Sequence, residues 1–119
     1  MDWQDYNRIA ICGGPRAGKT TLAAKIERPG RPTIHTDDHM HLPWSEQPAA
    51  ILSDVSGLDL FVIEGVQVPR CLRKGLEVDW VIWLDDEHDS LTVHQRRMKS
   101  GCRAILDGWL AVYPHPGDY

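Results

Sequence analysis

The chain has 119 residues, enough for one domain with its own core, and its 42% hydrophobic and 25% charged content is ordinary globular usage, which excludes disorder of the whole chain. A net charge of −4 excludes a general nucleic-acid footprint, and no apolar run approaches the roughly 20 residues that span a bilayer. Three scattered cysteines without a CxxC pair (Cys12, Cys71 and Cys102) and a polar, acidic start, MDWQDYNR, argue against a disulfide framework, a cysteine zinc site and a secretory signal.

Residues 8–12, Arg-Ile-Ala-Ile-Cys, read as a short strand running into glycine, and 19–27 as a helix of two to three turns. The cluster Pro29-Gly30-Arg31-Pro32 ends that helix. A second short strand is expected at 33–36, a helix at 47–55, and a strand buried on both faces at 60–63, Leu-Phe-Val-Ile. Residues 69–75 open with proline, as short helices do, and 80–84, Trp-Val-Ile-Trp-Leu, form another fully apolar strand. A helix follows at 89–99, with Asp89 or Ser90 as its cap and Gly101 just past its end; a last helix at 102–113 is halted by Pro114. No further strand is expected after Tyr113. Apolar strands alternating with helices imply a single α/β domain over residues 1–119, three-layered, with a mostly parallel sheet of about four strands joined by right-handed crossovers.

The most specific signal is Gly13-Gly14-Pro15-Arg16-Ala17-Gly18-Lys19-Thr20, which fits G-x-x-x-x-G-K-[ST] with no departure and has a strand before it and a helix after it. Gly13 and Gly18 allow backbone angles and close approach that a side chain would block. The backbone N–H groups form an anion nest, and the helix opening near Lys19 adds its positive end. Lys19 would reach the β- and γ-phosphates, Thr20 would ligate magnesium, and Thr21 would contact the α-phosphate. Gly13, Gly14, Pro15, Arg16, Ala17, Gly18, Lys19, Thr20 and Thr21 are thus the expected binding set for ATP or GTP with Mg2+. Cys12, just before the loop, reads as core packing.

Charge is unevenly spread. From Asp37 to Val68 the chain carries acids and no Lys or Arg; from Ser90 to Arg103 it carries bases and no acid. These runs are either two solvated faces or an acidic magnesium and substrate side opposite a basic phosphate clamp. Asp37 and Asp38 follow the second strand, and ligands of parallel α/β sheets bind beyond the C-terminal strand ends. One carboxylate there can take the proton of an attacking hydroxyl and the other hold magnesium, or both can simply cap the next segment. Phe61-Val62-Ile63-Glu64-Gly65 resembles a Walker B element with Glu64 near the metal; the alternative is an exposed strand end. His35, His39 and His41 match no metal motif, and Trp44 is either an aromatic wall for a planar substrate or core packing. Arg96, Arg97 and Arg103 are candidates for closing over phosphates, although adjacent helical residues diverge by about 100°, so Arg96 and Arg97 cannot both face one site.

Taken together, GGPRAGKTT, HTDDH, FVIEGV and a strand leading to an arginine-bearing helix resemble the uridine kinase and nicotinamide riboside kinase group of P-loop kinases, a resemblance spanning roughly residues 9–113. It implies a P-loop NTPase fold and an ATP-dependent kinase acting on a hydroxyl of a small-molecule acceptor, with Asp37 as catalytic base, Asp38 assisting, Glu64 near magnesium or substrate, and Arg96 or Arg97 in the lid. Family members are longer, and the acceptor-building stretch is abbreviated here. Two other readings stand beside it. A nucleoside monophosphate kinase would need an arginine in the acceptor region, and the interval from Asp37 to Val68 has none. A nucleotide-binding regulatory or assembly protein would fit a missing fifth strand but has no need of the Asp37–Asp38 pair. The expected setting is cytoplasmic, with no membrane or nucleic-acid partner; an exposed sheet edge makes a homodimer an option.

Overall fold

The computed structural model describes residues 2–85 and 91–119. Strands β1 (Arg8–Gly13), β2 (Thr33–His35), β3 (Phe61–Glu64), β4 (Trp80–Leu84) and β5 (Gly117–Asp118) form one sheet in the order β2-β3-β1-β4-β5. Every pairing is parallel. Helices α1 (Lys19–Lys25), α2 (Gln47–Val55), α3 (Val68–Arg73) and α4 (Val93–Val112) connect consecutive strands, with short 3-10 turns at Trp3–Asp5 and Thr36–His39.

Alternation along the strands sorts their side chains onto two buried faces. Ala10, Cys12, Phe61, Ile63 and Val81 pack against Ile51 and Val55 of α2, Val68 and Leu72 of α3, and Leu106 and Trp109 of α4. Ile9, Ile11, Val62 and Ile82 face the other way, against Ala23 of α1 and Ile26 at its C-terminal cap. Both faces are therefore covered, which is why these strands are apolar throughout. The covering also fixes the handedness pattern. From β1 the chain moves to the β2 edge through α1, on one face. The three later moves run back towards β5 through α2, α3 and α4, on the other face. One hand of crossover satisfies all four.

Two sequence expectations are corrected. The sheet has five strands rather than about four: β5 follows Tyr113 and pairs Gly117 with Val81 and Asp118 with Ile82. Two residues flanked by proline carry no hydrophobic pattern, so nothing in the sequence marked them. The helices expected at 89–99 and 102–113 are one continuous helix, α4. Gly101 costs about 1 kcal/mol relative to alanine inside a helix, but Cys102, Leu106 and Trp109 bury one stripe of α4 and hold it together. The helix begins with Thr92 as cap, in a reciprocal pair of hydrogen bonds with Gln95; the proposed caps Asp89 and Ser90 lie outside the described residues. No helix among the described residues is long and apolar enough to cross a membrane.

Candidate functional site

The C-terminal ends of β1, β2 and β3 lie side by side. Ile11 and His35 are both in register with Glu64, so the segments leaving β1, β2 and β3 emerge on one edge of the sheet. β1 also sits where chain direction across the sheet reverses, the position at which parallel α/β sheets open a crevice. The glycine-rich segment leaves β1 there and passes directly into α1. Arg16 and Gly18 hold left-handed backbone, with φ of 62° and 89°. α4 lies against this loop closely enough that a Cβ on Gly14 would stand 2.6 Å from Lys99 Cβ, so only glycine fits under the helix.

Lys19 is 8% exposed, and its Nζ donates to the carbonyl of Gly14 at 2.5 Å. Burial pushes its ammonium pKa below the usual lysine range, while the Glu64 and Asp37 carboxylates act in the opposite direction. The next residue, Thr20, donates from Oγ1 to Glu64 Oε1 at 3.3 Å. Glu64 is 3% exposed, not a solvated strand end, and the same oxygen meets His35 Nδ1 at 2.7 Å. A carboxylate accepts, so His35 presents its Nδ1–H. Thr20, Glu64 and His35 thus come from three elements and form one hydrogen-bonded cluster, within electrostatic reach of the Lys19 ammonium.

Beside the cluster is a cleft of about 690 Å3, lined on one side by residues 15–21 and on the other by Asp37, Trp44, Gln47, Glu64 and Gln67. Asp37 is exposed and, like Asp38, makes no side-chain hydrogen bond among the described residues, so neither acts as a helix cap. Asp38 is exposed outside the cleft lining. Arg96 lines a separate cleft of about 1070 Å3 with Trp83, Lys99 and Arg103. Arg97 is exposed and lines neither. From α4 it is Met98 that reaches the cleft beside the glycine-rich loop, as the angular spread along a helix dictates. Lys99 and Arg103 are held in ion pairs with Asp85 and Asp107 at 2.5 and 3.0 Å.

The histidines do not converge. His35 serves Glu64, His39 pairs with Asp54 at 2.5 Å, and His41 only faces His39, ring centroids 6.2 Å apart. Trp44 is not core: it stands 47% exposed at the cleft. Cys12 is fully buried, and burial raises its thiol pKa far above the ordinary value, which makes it packing rather than a nucleophile.

Sequence reasoning passed over Gln47, Gln67 and Arg70. Arg70 lies on α3, two positions beyond the interval searched for an acceptor-side arginine, yet its guanidinium sits 4.7 Å from the Trp44 ring centroid and donates to Trp44 O and Gln67 Oε1, each at 2.8 Å. The Pro at the start of α3 was the one available signal, since it fixes where the helix starts and so which residues its first turn turns inward.

Thr20 and Glu64 offer a hydroxyl and a carboxylate oxygen 3.3 Å apart. Hard oxygens in that number suit Mg2+, which keeps waters and substrate phosphates in its shell rather than taking a full protein cage. Among the described residues no group of three or more His, Cys, Asp or Glu side chains gathers as a metal cage. Comparison with known proteins found no family model that matches the chain and no curated protein that matches it.

Proposed function

We propose that the chain is a P-loop kinase that transfers the γ-phosphoryl group of ATP or GTP to a hydroxyl of a small-molecule acceptor. The observation that carries this reading is the Thr20–Glu64 hydrogen bond at the strand ends beside the buried Lys19, with Asp37 lining the same cleft. A glycine loop running from a buried strand into a helix, with a buried carboxylate on the neighbouring strand, supports phosphate binding next to a divalent cation.

In this reading residues 13–21 cradle the phosphates. Lys19 turns from Gly14 O onto the β- and γ-phosphates, its charge kept by Glu64 and Asp37 against the cost of burial. Thr20 and Glu64 hold Mg2+, which when bound neutralises charge on the transferring group. Asp37, exposed at the cleft, takes the proton from the acceptor hydroxyl as its oxygen bonds to the γ-phosphorus and the bond to the β-phosphate oxygen breaks. His35 fixes Glu64 from behind. Asp38, outside the lining, has at most a water-mediated part. Arg96 and Arg97 reach the phosphates only if the start of α4 moves, the usual behaviour of a lid. The binding-only alternative rested on a missing fifth strand, and β5 removes that support.

The test is nucleotide consumption with magnesium across a panel of nucleosides, sugars and nucleoside monophosphates. Turnover stimulated by one hydroxyl compound is expected. Tight nucleotide binding with no stimulation by any acceptor would favour the regulatory or assembly reading instead.

A further inference from the structure

Helix α4 spans 20 residues, a length of about 30 Å. Its inner stripe, Cys102, Leu106 and Trp109, is buried on the sheet side. On the opposite side Val93, Arg97, Ser100, Ala104, Asp107 and Ala111 are all exposed. They recur at alternating steps of four and three residues, the repeat that keeps one face of a helix turned towards a second helix. Nothing among the described residues covers that face. Its apolar members are prominent: Val93 and Val112 are 63% and 67% exposed, and Tyr113, just past the helix end, is 59% exposed. Beside them Ala104, Ile105, Gly108 and Val112 line a groove of about 390 Å3. Apolar surface gathered on one helix in this way marks an interaction site more than scattered exposure does.

Charge says what covers it. Arg97 lies five residues before residue 102 and Asp107 five after it; Ser100 and Ala104 lie two to either side, Val93 and Ala111 nine. The face is therefore matched in size about its midpoint and opposite in charge across it. Arg97 has no ion pair among the described residues. Asp107 is bound by Arg103 of its own helix through Oδ1, at 3.0 Å, which leaves Oδ2 open. An antiparallel second copy, related by a two-fold axis at residue 102, sets Arg97 opposite the partner's Asp107 and Asp107 opposite the partner's Arg97. A parallel copy would set Arg97 on the partner's Arg97 and be repelled. The antiparallel pair also brings helix ends of opposite partial charge side by side. Such self-complementarity is what a two-fold contact requires of a single patch.

We infer that the outer face of α4 is a homodimer interface, in which two copies pack antiparallel about a two-fold axis at residue 102 and are joined by reciprocal Arg97–Asp107 ion pairs. Ser100, Gly101 and Ala104 at the centre let the helix axes approach to about 8 Å, the near end of the usual range. Val93 meets the partner's Ala111 at each end of the contact. The interface uses neither edge of the sheet, and it stands whether or not the chain binds nucleotide.

The test is sedimentation equilibrium of the full chain over a wide range of concentration, at low and at raised salt. A monomer–dimer equilibrium is expected, weaker at raised salt because the ion pairs lie at the surface. Arg97→Asp and Asp107→Arg each place like charges together twice across the axis, so each should weaken the dimer about 10-fold or more, while the two combined should return it to within about 3-fold of the unaltered chain. Ala104→Arg, which touches neither charge, should leave a monomer by blocking the close approach at the centre. All three positions are exposed, and circular dichroism should show each variant folded. A monomer at every concentration would overturn the inference. So would a dimer that neither charge reversal weakens, which belongs to another surface such as a sheet edge, or a combined variant no tighter than the single ones.

Discussion

Thr20 and Glu64, 44 residues apart in the chain, meet through a hydrogen bond of 3.3 Å between the first turn of α1 and the end of β3. Glu64 is buried at 3% exposure, and a carboxylate so placed is costly unless it is matched by donors or a cation. Thr20 and His35 supply two donors to one of its oxygens, Oε1.

Glu64→Gln is expected to separate the metal from the nucleotide. The amide keeps the size and can accept from Thr20, but it lacks the charge that would hold a divalent cation. The gain in nucleotide affinity on adding Mg2+ should fall by about 10-fold or more, the scale on which changes in metal-site support act. Affinity in excess chelator should stay near that of the unaltered protein. Calorimetry with and without Mg2+ reads both; an undiminished magnesium effect would remove Glu64 from the metal site.

Asp37→Asn tests the base. The carboxylate is exposed and unpaired among the described residues, so the change should leave stability and nucleotide binding alone. Loss of a general base typically lowers the rate by about 10²-fold or more. Single-turnover phosphoryl transfer is the readout, and transfer at the original rate would assign the proton to another group.

Gly65→Ala is expected to be strongly destabilising. Gly65 has φ of +140°, and a Cβ there would stand 1.7 Å from Thr36 Oγ1 and 2.8 Å from Thr36 Cβ. Thr36 is 1% exposed and cannot swing away. Backbone strain of this kind alone costs about 1–3 kcal/mol, and the steric overlap adds to it. Chemical denaturation should show the loss, and Gly65→Ala with Thr36→Ala should recover part of it. Wild-type stability in the single variant would mean that the β3 end is laxer than described.

Alkaline pH should unfold the chain earlier than its carboxylates and amines would predict. Burial raises all three thiols, and Cys71 is pushed up to about 12 from an ordinary value near 9.0. Between those two values the unfolded chain loses thiol protons that the folded chain keeps, so the contribution of Cys71 to stability is constant below about pH 9 and falls as pH rises towards 12. Denaturation midpoints from pH 8 to 11 should decline, and Cys71→Ala should make the decline shallower. An identical slope in that variant would contradict the burial argument.

How much of this was legible in the sequence follows from the range of the interactions involved. The glycine loop, the strand before it and the helix after it are written in consecutive residues, and the apolar runs of β1, β3 and β4 are local as well. The carboxylate of Glu64 was readable as a strand end, but its pairing with His35 depends on β2 docking beside β3, which no local pattern records. β5 escaped because two residues between proline and the chain end carry no periodicity, and its place is set by pairing with Val81 and Ile82. Gly101 misled because a glycine reads as a helix end, while the buried stripe of Cys102, Leu106 and Trp109 decides otherwise. The hydrogen bonds from Arg70 to Gln67 and from Gln67 to Gln47 join α3 to α2, and these residues look like any surface polar residues until those helices are packed.

The most direct test of the central claim is magnesium ATP and GTP binding to the unaltered chain and to Lys19→Ala. Lys19 carries the one buried cation beside the loop among the described residues, and its removal leaves the strand, the loop glycines and α1 in place. The unaltered chain should bind one of the two nucleotides, and the variant should lose that affinity by about 100-fold or more, as expected for a charged hydrogen-bonding partner desolvated against phosphate. Equal binding by both proteins, or no nucleotide binding by the unaltered one, would contradict the account.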